Sequence, residues 1–158
     1  YFADIEPAEP IEGYLAALGV TVPPEGQQQR GLLSAASSVY CPQGRFDPED
    51  MLDRLRQLHD VSRDRGCTTA RASGEMTWAL RGIPGSDRLV EYEAKINLVM
   101  ETHPITAMCQ YDARRFDGGL LFDVLSVHPM MVVHGQVVFN PYYRPPSEFL
   151  AQHAGRVA

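Results

Sequence analysis

Cys67-Thr68-Thr69-Ala70-Arg71-Ala72 and Ile105-Thr106-Ala107-Met108-Cys109-Gln110-Tyr111 read as two short strands. The stretch between them opens at Ser86-Asp87 and carries Leu89, Tyr92, Ile96, Val99 and Met100 at helical spacing, stopping before Pro104. Two strands joined through a helix lie in one sheet as a parallel pair with a crossover, so this segment predicts an α/β fold.

The reading extends outward in both directions. Upstream, Asp47-Pro48-Glu49-Asp50 is a helix start: Asp47 can cap free N–H groups and Pro48 sits where its missing donor costs nothing. Met51, Leu52, Leu55, Leu58 and Val61 mark its apolar face, which closes at Gly66. Gly31 to Tyr40 reads as a strand covered on both faces and ending at Tyr40-Cys41-Pro42. Pro23 to Gln29 reads as an exposed loop, and Pro10 to Leu18 as a short helix stopped by Gly19. Tyr1-Phe2-Ala3 reads as the tail of a strand, so the chain is expected to be a fragment beginning inside one. Downstream, Leu120 to Val127 reads as a helix ending at His128-Pro129. Met130–Val133 and Gln136–Phe139 form a hairpin across His134-Gly135. The expected architecture is one domain over residues 1–158, a three-layer α/β/α fold with a mostly parallel sheet and a C-terminal hairpin.

Composition narrows the function. The chain has 158 residues, 44% of them apolar, and a formal charge of −6. That sign opposes phosphate or an anionic leaflet, so neither nucleic acid nor a membrane surface is an expected partner. No apolar run reaches the roughly 18 residues of a membrane span, and no basic n-region followed by an apolar h-region opens the sequence, so neither span nor export is expected. Cys41, Cys67 and Cys109 have no CxxC spacing, which fits a reducing cytoplasm. Neither GxxxxGK[ST], GxGxxG nor GxSxG occurs, so tight ATP binding and a Ser–His–Asp hydrolase are not expected. No metal, cofactor or catalytic group is assigned.

In open parallel sheets ligands bind beyond the carboxyl ends of the strands. Those ends offer Tyr40-Cys41, Gly74-Glu75 and Gln110-Tyr111-Asp112. Glu75 follows the small run Ala72-Ser73-Gly74 and is expected to end its strand and face one cavity with Trp78; the alternative is a helix or loop cap. Glu93 falls in the apolar stripe with Asn97 one turn on, and either pairs with an arginine such as Arg71 or Arg114 or touches a ligand. Cys109 and Tyr111 share one sheet face, with Gln110 and Asp112 on the other. Cys109 alone reads as an inert core residue. His103, His128 and His134 have no spacing that fixes two metal ligands on one element, and His128 reads as a helix end.

Four strings then coincide: Leu89-Val90-Glu91-Tyr92-Glu93-Ala94-Lys95-Ile96-Asn97; Met108-Cys109-Gln110-Tyr111-Asp112-Ala113-Arg114-Arg115-Phe116; Val127-His128-Pro129; and Asn140-Pro141-Tyr142-Tyr143-Arg144-Pro145-Pro146. With Ser73-Gly74-Glu75-Met76-Thr77-Trp78 upstream, they resemble the MEDS family of methanogen and methylotroph sensory domains. The resemblance implies a RecA/KaiC-like fold without nucleotide motifs, sensing small, hydrocarbon-derived molecules for a linked signalling output. It carries over onto Glu75, Glu93, Asn97, Cys109, Tyr111, Asp112, His128 and Asn140.

The leading expectation is a noncatalytic sensor that binds an apolar or hydrocarbon-derived ligand at the strand carboxyl edge, in a pocket lined by Tyr40, Glu75, Trp78, Cys109 and Tyr111. Its partners are a small-molecule ligand and an output module outside this chain. The alternatives are an enzyme using Glu75 with Cys109 or His128, and a scaffold that forms a homodimer.

Overall fold

The computed structural model describes residues 1–4, 8–21 and 34–154. The loop expected over Pro23–Gln29 and the first residues of the Gly31–Tyr40 strand lie outside them. In chain order the elements are β1 (Phe2–Ala3), α1 (Ala8–Ala17), β2 (Ser34–Ala35), α2 (Ala36–Tyr40), α3 (Pro48–Asp64), β3 (Ala70–Glu75), α4 (Leu89–Thr102), β4 (Ile105–Gln110), α5 (Gly118–Ser126), β5 (Met130–Val133), β6 (Gln136–Phe139) and α6 (Pro146–Ala154). Strands β2-β1-β3-β4 form a parallel sheet, flanked by helices, and β5-β6 form an antiparallel pair. This is the α/β class that the strand–helix alternation predicts.

Local chemistry accounts for most boundaries. Asp47 caps α3 by accepting from the N–H groups of Glu49 and Asp50. The hairpin turns at His134 and Gly135 with φ of 49° and 77°, both in the left-handed region that a two-residue turn demands. Two starts differ from expectation. Ser86–Arg88 is a 3-10 turn with no side-chain cap, and α4 begins only at Leu89. Strand β3 begins at Ala70, which pairs with Ile105, and not at Cys67; it ends at Glu75, which pairs with Gln110. On α3 His59 is buried and Val61 exposed, so the apolar face ends one turn earlier than the spacing implies.

The largest correction concerns Tyr40, which ends a helix and not a strand. Ser38 donates its hydroxyl to the Ala35 carbonyl and Cys41 N–H bonds the Ser37 carbonyl, so the small-residue run after Ala35 turns into α2. The turn lays the Tyr40 ring over Gly74, where a side-chain carbon would meet its hydroxyl oxygen at 2.2 Å. Only glycine fits at that point of β3. Tyr40 then stacks on Trp78 with centroids 5.0 Å apart, and Phe46 and Tyr92 close around the pair. These rings are the centre of the main core.

Alternation along β3 and β4 assigns the two sheet faces. Gly74 and Cys109, paired in register, face Tyr40 and α4; Ser73, Glu75, Met108 and Gln110 face the other way. Helix α6, which the sequence pattern did not indicate, brings Phe149 into a second cluster with Val90, Ala94, Val124 and Val127. Helix α4 therefore lies between two apolar clusters, which is why its stripe is unusually wide.

Outside the core, Glu91 accepts from Arg88 at 2.8 and 3.0 Å and from Lys95 at 2.7 Å, and Lys95 also reaches Glu49 on α3 at 2.6 Å. Chiefly the Arg88 hydrogen bond, then Lys95, holds the Glu91 carboxyl down at about 2.

Two outcomes are expected. Gly74→Ala lowers stability by about 1–3 kcal/mol in a denaturant titration, and adding Tyr40→Phe recovers part of the loss. A carboxyl depressed in the folded state stabilises only above its unfolded range and loses that contribution as pH falls toward 2. Glu91→Gln therefore costs up to about 1 kcal/mol at neutral pH, the partners being largely solvated. The difference from the parent disappears in unfolding curves taken in strong acid.

Candidate functional site

The described residues bring two polar groupings together near the carboxyl end of β4. The first is buried. Glu93, on α4, has no solvent exposure. Its Oε1 accepts from the Tyr111 hydroxyl at 2.5 Å and its Oε2 from the Cys109 thiol at 3.2 Å, while His128 Nε2 stands 3.5 Å from Oε2. An ionised carboxylate is tolerated at this depth only where donors replace water. Neither arginine expected from the sequence supplies them: Arg71 is exposed on the far side of the sheet, and Arg114 is bound to Asp112.

Burial first, then the Glu93 charge, pushes the Cys109 thiol and the Tyr111 phenol well above their ordinary pKa values. Both keep their protons and act as donors. Burial likewise raises Tyr40 and Tyr92, the neighbours of this cluster.

His128 is aimed by its backbone surroundings. Its Nδ1 lies 2.8 Å from the Val124 carbonyl, which can only accept, so Nδ1 carries a proton and Nε2 faces Glu93. Two asparagines hold the segment that presents it. Asn97 donates to the Val127 carbonyl at 2.9 Å, and Asn140 donates to those of Leu125 at 2.6 Å and His128 at 2.8 Å. Asn97 and Asn140 thus clamp the end of α5, satisfying carbonyls that the helix leaves open.

The second grouping is an open cleft of about 360 Å³ lined by Glu75, Thr77, Gln110, Tyr111, Asp112 and Arg114. Glu75 ends β3, is 9% exposed, and accepts from the Asp4 N–H and the Tyr1 hydroxyl, each at 2.6 Å. Asp4 is held in turn by Thr77 at 2.6 Å and Arg81 at 2.8 Å. Gln110 donates to Ser73 at 2.7 Å. Asp112 takes both Arg114 Nε and Nη2 at 2.9 Å, and that hydrogen bonding holds its carboxyl down at about 2.

Several expectations are corrected. Glu75 does not share a cavity with Trp78, because the two lie on opposite faces of the sheet and Trp78 is fully packed between Tyr40 and Phe46. Tyr40 and Trp78 are core residues and do not line the cleft. The same separation keeps Glu75 from acting with Cys109. Gln110, at the strand end the sequence offered, lines the cleft, and so do Thr77 and Arg114, which were not singled out as ligand residues; their position beside Glu75 and Asp112 was the available signal. His103 is remote from His128 in role: with His59 and Asp60 it forms a separate group whose ligand atoms lie within 4.8 Å of one another.

Tyr111→Phe leaves Oε1 of the fully buried Glu93 without its donor, so a loss of about 1–3 kcal/mol is expected in chemical denaturation.

Comparison with known proteins places the sequence in a family. Residues 6–129 match MEDS, the methanogen/methylotroph, DcmR sensory domain. A stretch of 80 residues is 32% identical to the transcriptional repressor DcmR of Methylorubrum extorquens (strain DSM 6343 / CIP 106787 / DM4), covering 50% of this chain. The match spans 30% of that relative's length. No solved structure matches significantly. The chain belongs to the MEDS family of sensory domains.

Proposed function

We propose that this chain is the ligand-sensing part of a transcription regulator, binding a small molecule in the cleft at the carboxyl ends of β3 and β4 without chemical turnover. One observation carries the reading: Tyr111 lines the cleft while its hydroxyl is the donor to buried Glu93. A ligand that shifts Tyr111 alters the hydrogen bonding of a carboxylate whose other partners belong to β4 and the end of α5. Occupancy of an exposed cleft is thereby felt inside the molecule.

The lining refines the ligand class. Glu75, Thr77, Gln110, Asp112 and Arg114 all present hydrogen-bonding groups, so the ligand is small and carries polar atoms, with the Tyr111 ring as its apolar contact. A hydrocarbon-derived molecule fits this cleft through an oxidised or otherwise polar substituent. Cys109 and His128 face Glu93 and not the cleft, which supports the noncatalytic reading over an enzyme built on Glu75 with either of them. The remaining parts of the proposal are an output module outside this stretch of chain, a cytoplasmic location and a homodimeric state. No helix among the described residues is long and apolar enough to cross a membrane.

The test is a thermal-shift screen of small polar organic molecules on the purified chain, followed by calorimetry on each hit. A genuine cleft ligand is expected to bind Gln110→Ala at least about tenfold more weakly, with the circular dichroism spectrum unchanged. Hits whose affinity ignores Gln110→Ala and Thr77→Val alike would remove the cleft from the proposal.

A further inference from the structure

The Glu93 cluster holds more than the sensing reading uses. Ligand atoms of Glu93, Cys109 and His128 all lie within 4.8 Å of one another, and the three residues come from α4, β4 and the turn after α5. Four-coordinate bonds of about 2.0–2.3 Å set ligand atoms roughly 3.3–3.8 Å apart. The observed separations from Glu93 Oε2, 3.2 Å to Cys109 Sγ and 3.5 Å to His128 Nε2, match that spacing within a few tenths of an ångström.

The surroundings are those of a metal's outer shell. His128 donates Nδ1–H to the Val124 carbonyl, which directs Nε2 at Glu93. The far carboxylate oxygen is held by the Tyr111 hydroxyl, leaving Oε2 for the cluster. When His128 is neutral, its Nε2 lone pair faces a carboxylate lone pair, an arrangement that a shared cation relieves. The thiolate, imidazole and carboxylate set suits a borderline-soft ion and not calcium or magnesium.

We propose that Glu93, Cys109 and His128 form a three-ligand site for a divalent ion of the zinc class, with a fourth position open to water or a small exogenous ligand. On binding, the Cys109 S–H bond breaks as the sulfur–metal bond forms, and the proton leaves to solvent. The imidazole enters through Nε2, on a side chain 24% exposed and thus next to the entry path. The ion ties α4, β4 and the α5 turn into one unit.

The test uses cobalt(II) alone, then zinc(II), on the chelator-stripped chain. The expected result is one cobalt per chain, with thiolate-to-cobalt charge-transfer absorption and the strong visible bands of a four-coordinate ion, both abolished by one equivalent of zinc. Cys109→Ser loses the charge-transfer band, His128→Ala weakens cobalt binding by about tenfold or more, and His103→Ala, which takes one ligand atom from the separate His59, Asp60 and His103 group, changes neither. If Cys109→Ser fails to fold by circular dichroism, the parent spectrum and His128→Ala decide. The proposal is overturned by a parent spectrum without a thiolate band. It is equally overturned by a band that survives Cys109→Ser, or by binding that His103→Ala abolishes and His128→Ala spares.

Discussion

A carboxylate with no solvent exposure, Glu93, sits at the junction of α4, β4 and the end of α5. Removing such a group from water costs several kcal/mol unless donors surround it. Here the donors are a phenol just beyond β4 and a thiol within it, with an imidazole beyond α5 facing the same oxygen. No single element can satisfy Glu93, so its burial fixes how the three meet. Asn97 and Asn140 extend the same logic, closing the open carbonyls of the α5 turn from α4 and from the chain after β6.

The sheet divides the rest of the molecule. On one face Tyr40 lies over Gly74 and stacks on Trp78, producing a buried aromatic core. The indole N–H of Trp78 has no hydrogen-bond partner among the described residues. A buried unpaired donor costs about 1–3 kcal/mol, a penalty that stacking and apolar burial of the ring offset. On the other face Glu75 joins β3 to the chain around Asp4, and Gln110 is tied to Ser73. The cleft opens where this second face runs out, so its chemistry is polar although the nearby core is aromatic.

Tyr111 is the point of contact between these regions. Lying just past the last residue of β4, it is free of the strand ladder yet held by Glu93 and by Phe116, whose ring centroid is 5.0 Å away. Its position gives a sensory domain a short physical route from cleft to interior, made of one side chain and two hydrogen-bonded groups.

Sequence by itself determined what short-range rules govern. The βαβ unit, the Asp47 cap, the His134-Gly135 turn and the sharing of one face by Cys109 and Tyr111 follow from spacing, capping and alternation. The quoted strings also identified the family that the comparison found. Tertiary structure decided the rest. That Ala36–Tyr40 turns into helix and lays Tyr40 over Gly74, residues far apart in the chain, is visible only in the folded molecule. The partner of Glu93 was equally unreadable, because arginine, tyrosine, thiol and imidazole can all serve a buried carboxylate and only the packing of α4 on β4 and α5 selects among them. Glu75 and Trp78, three residues apart, were separated by the sheet itself: alternation sends Glu75 to one face, and the 3-10 turn after β3 delivers Trp78 to the other.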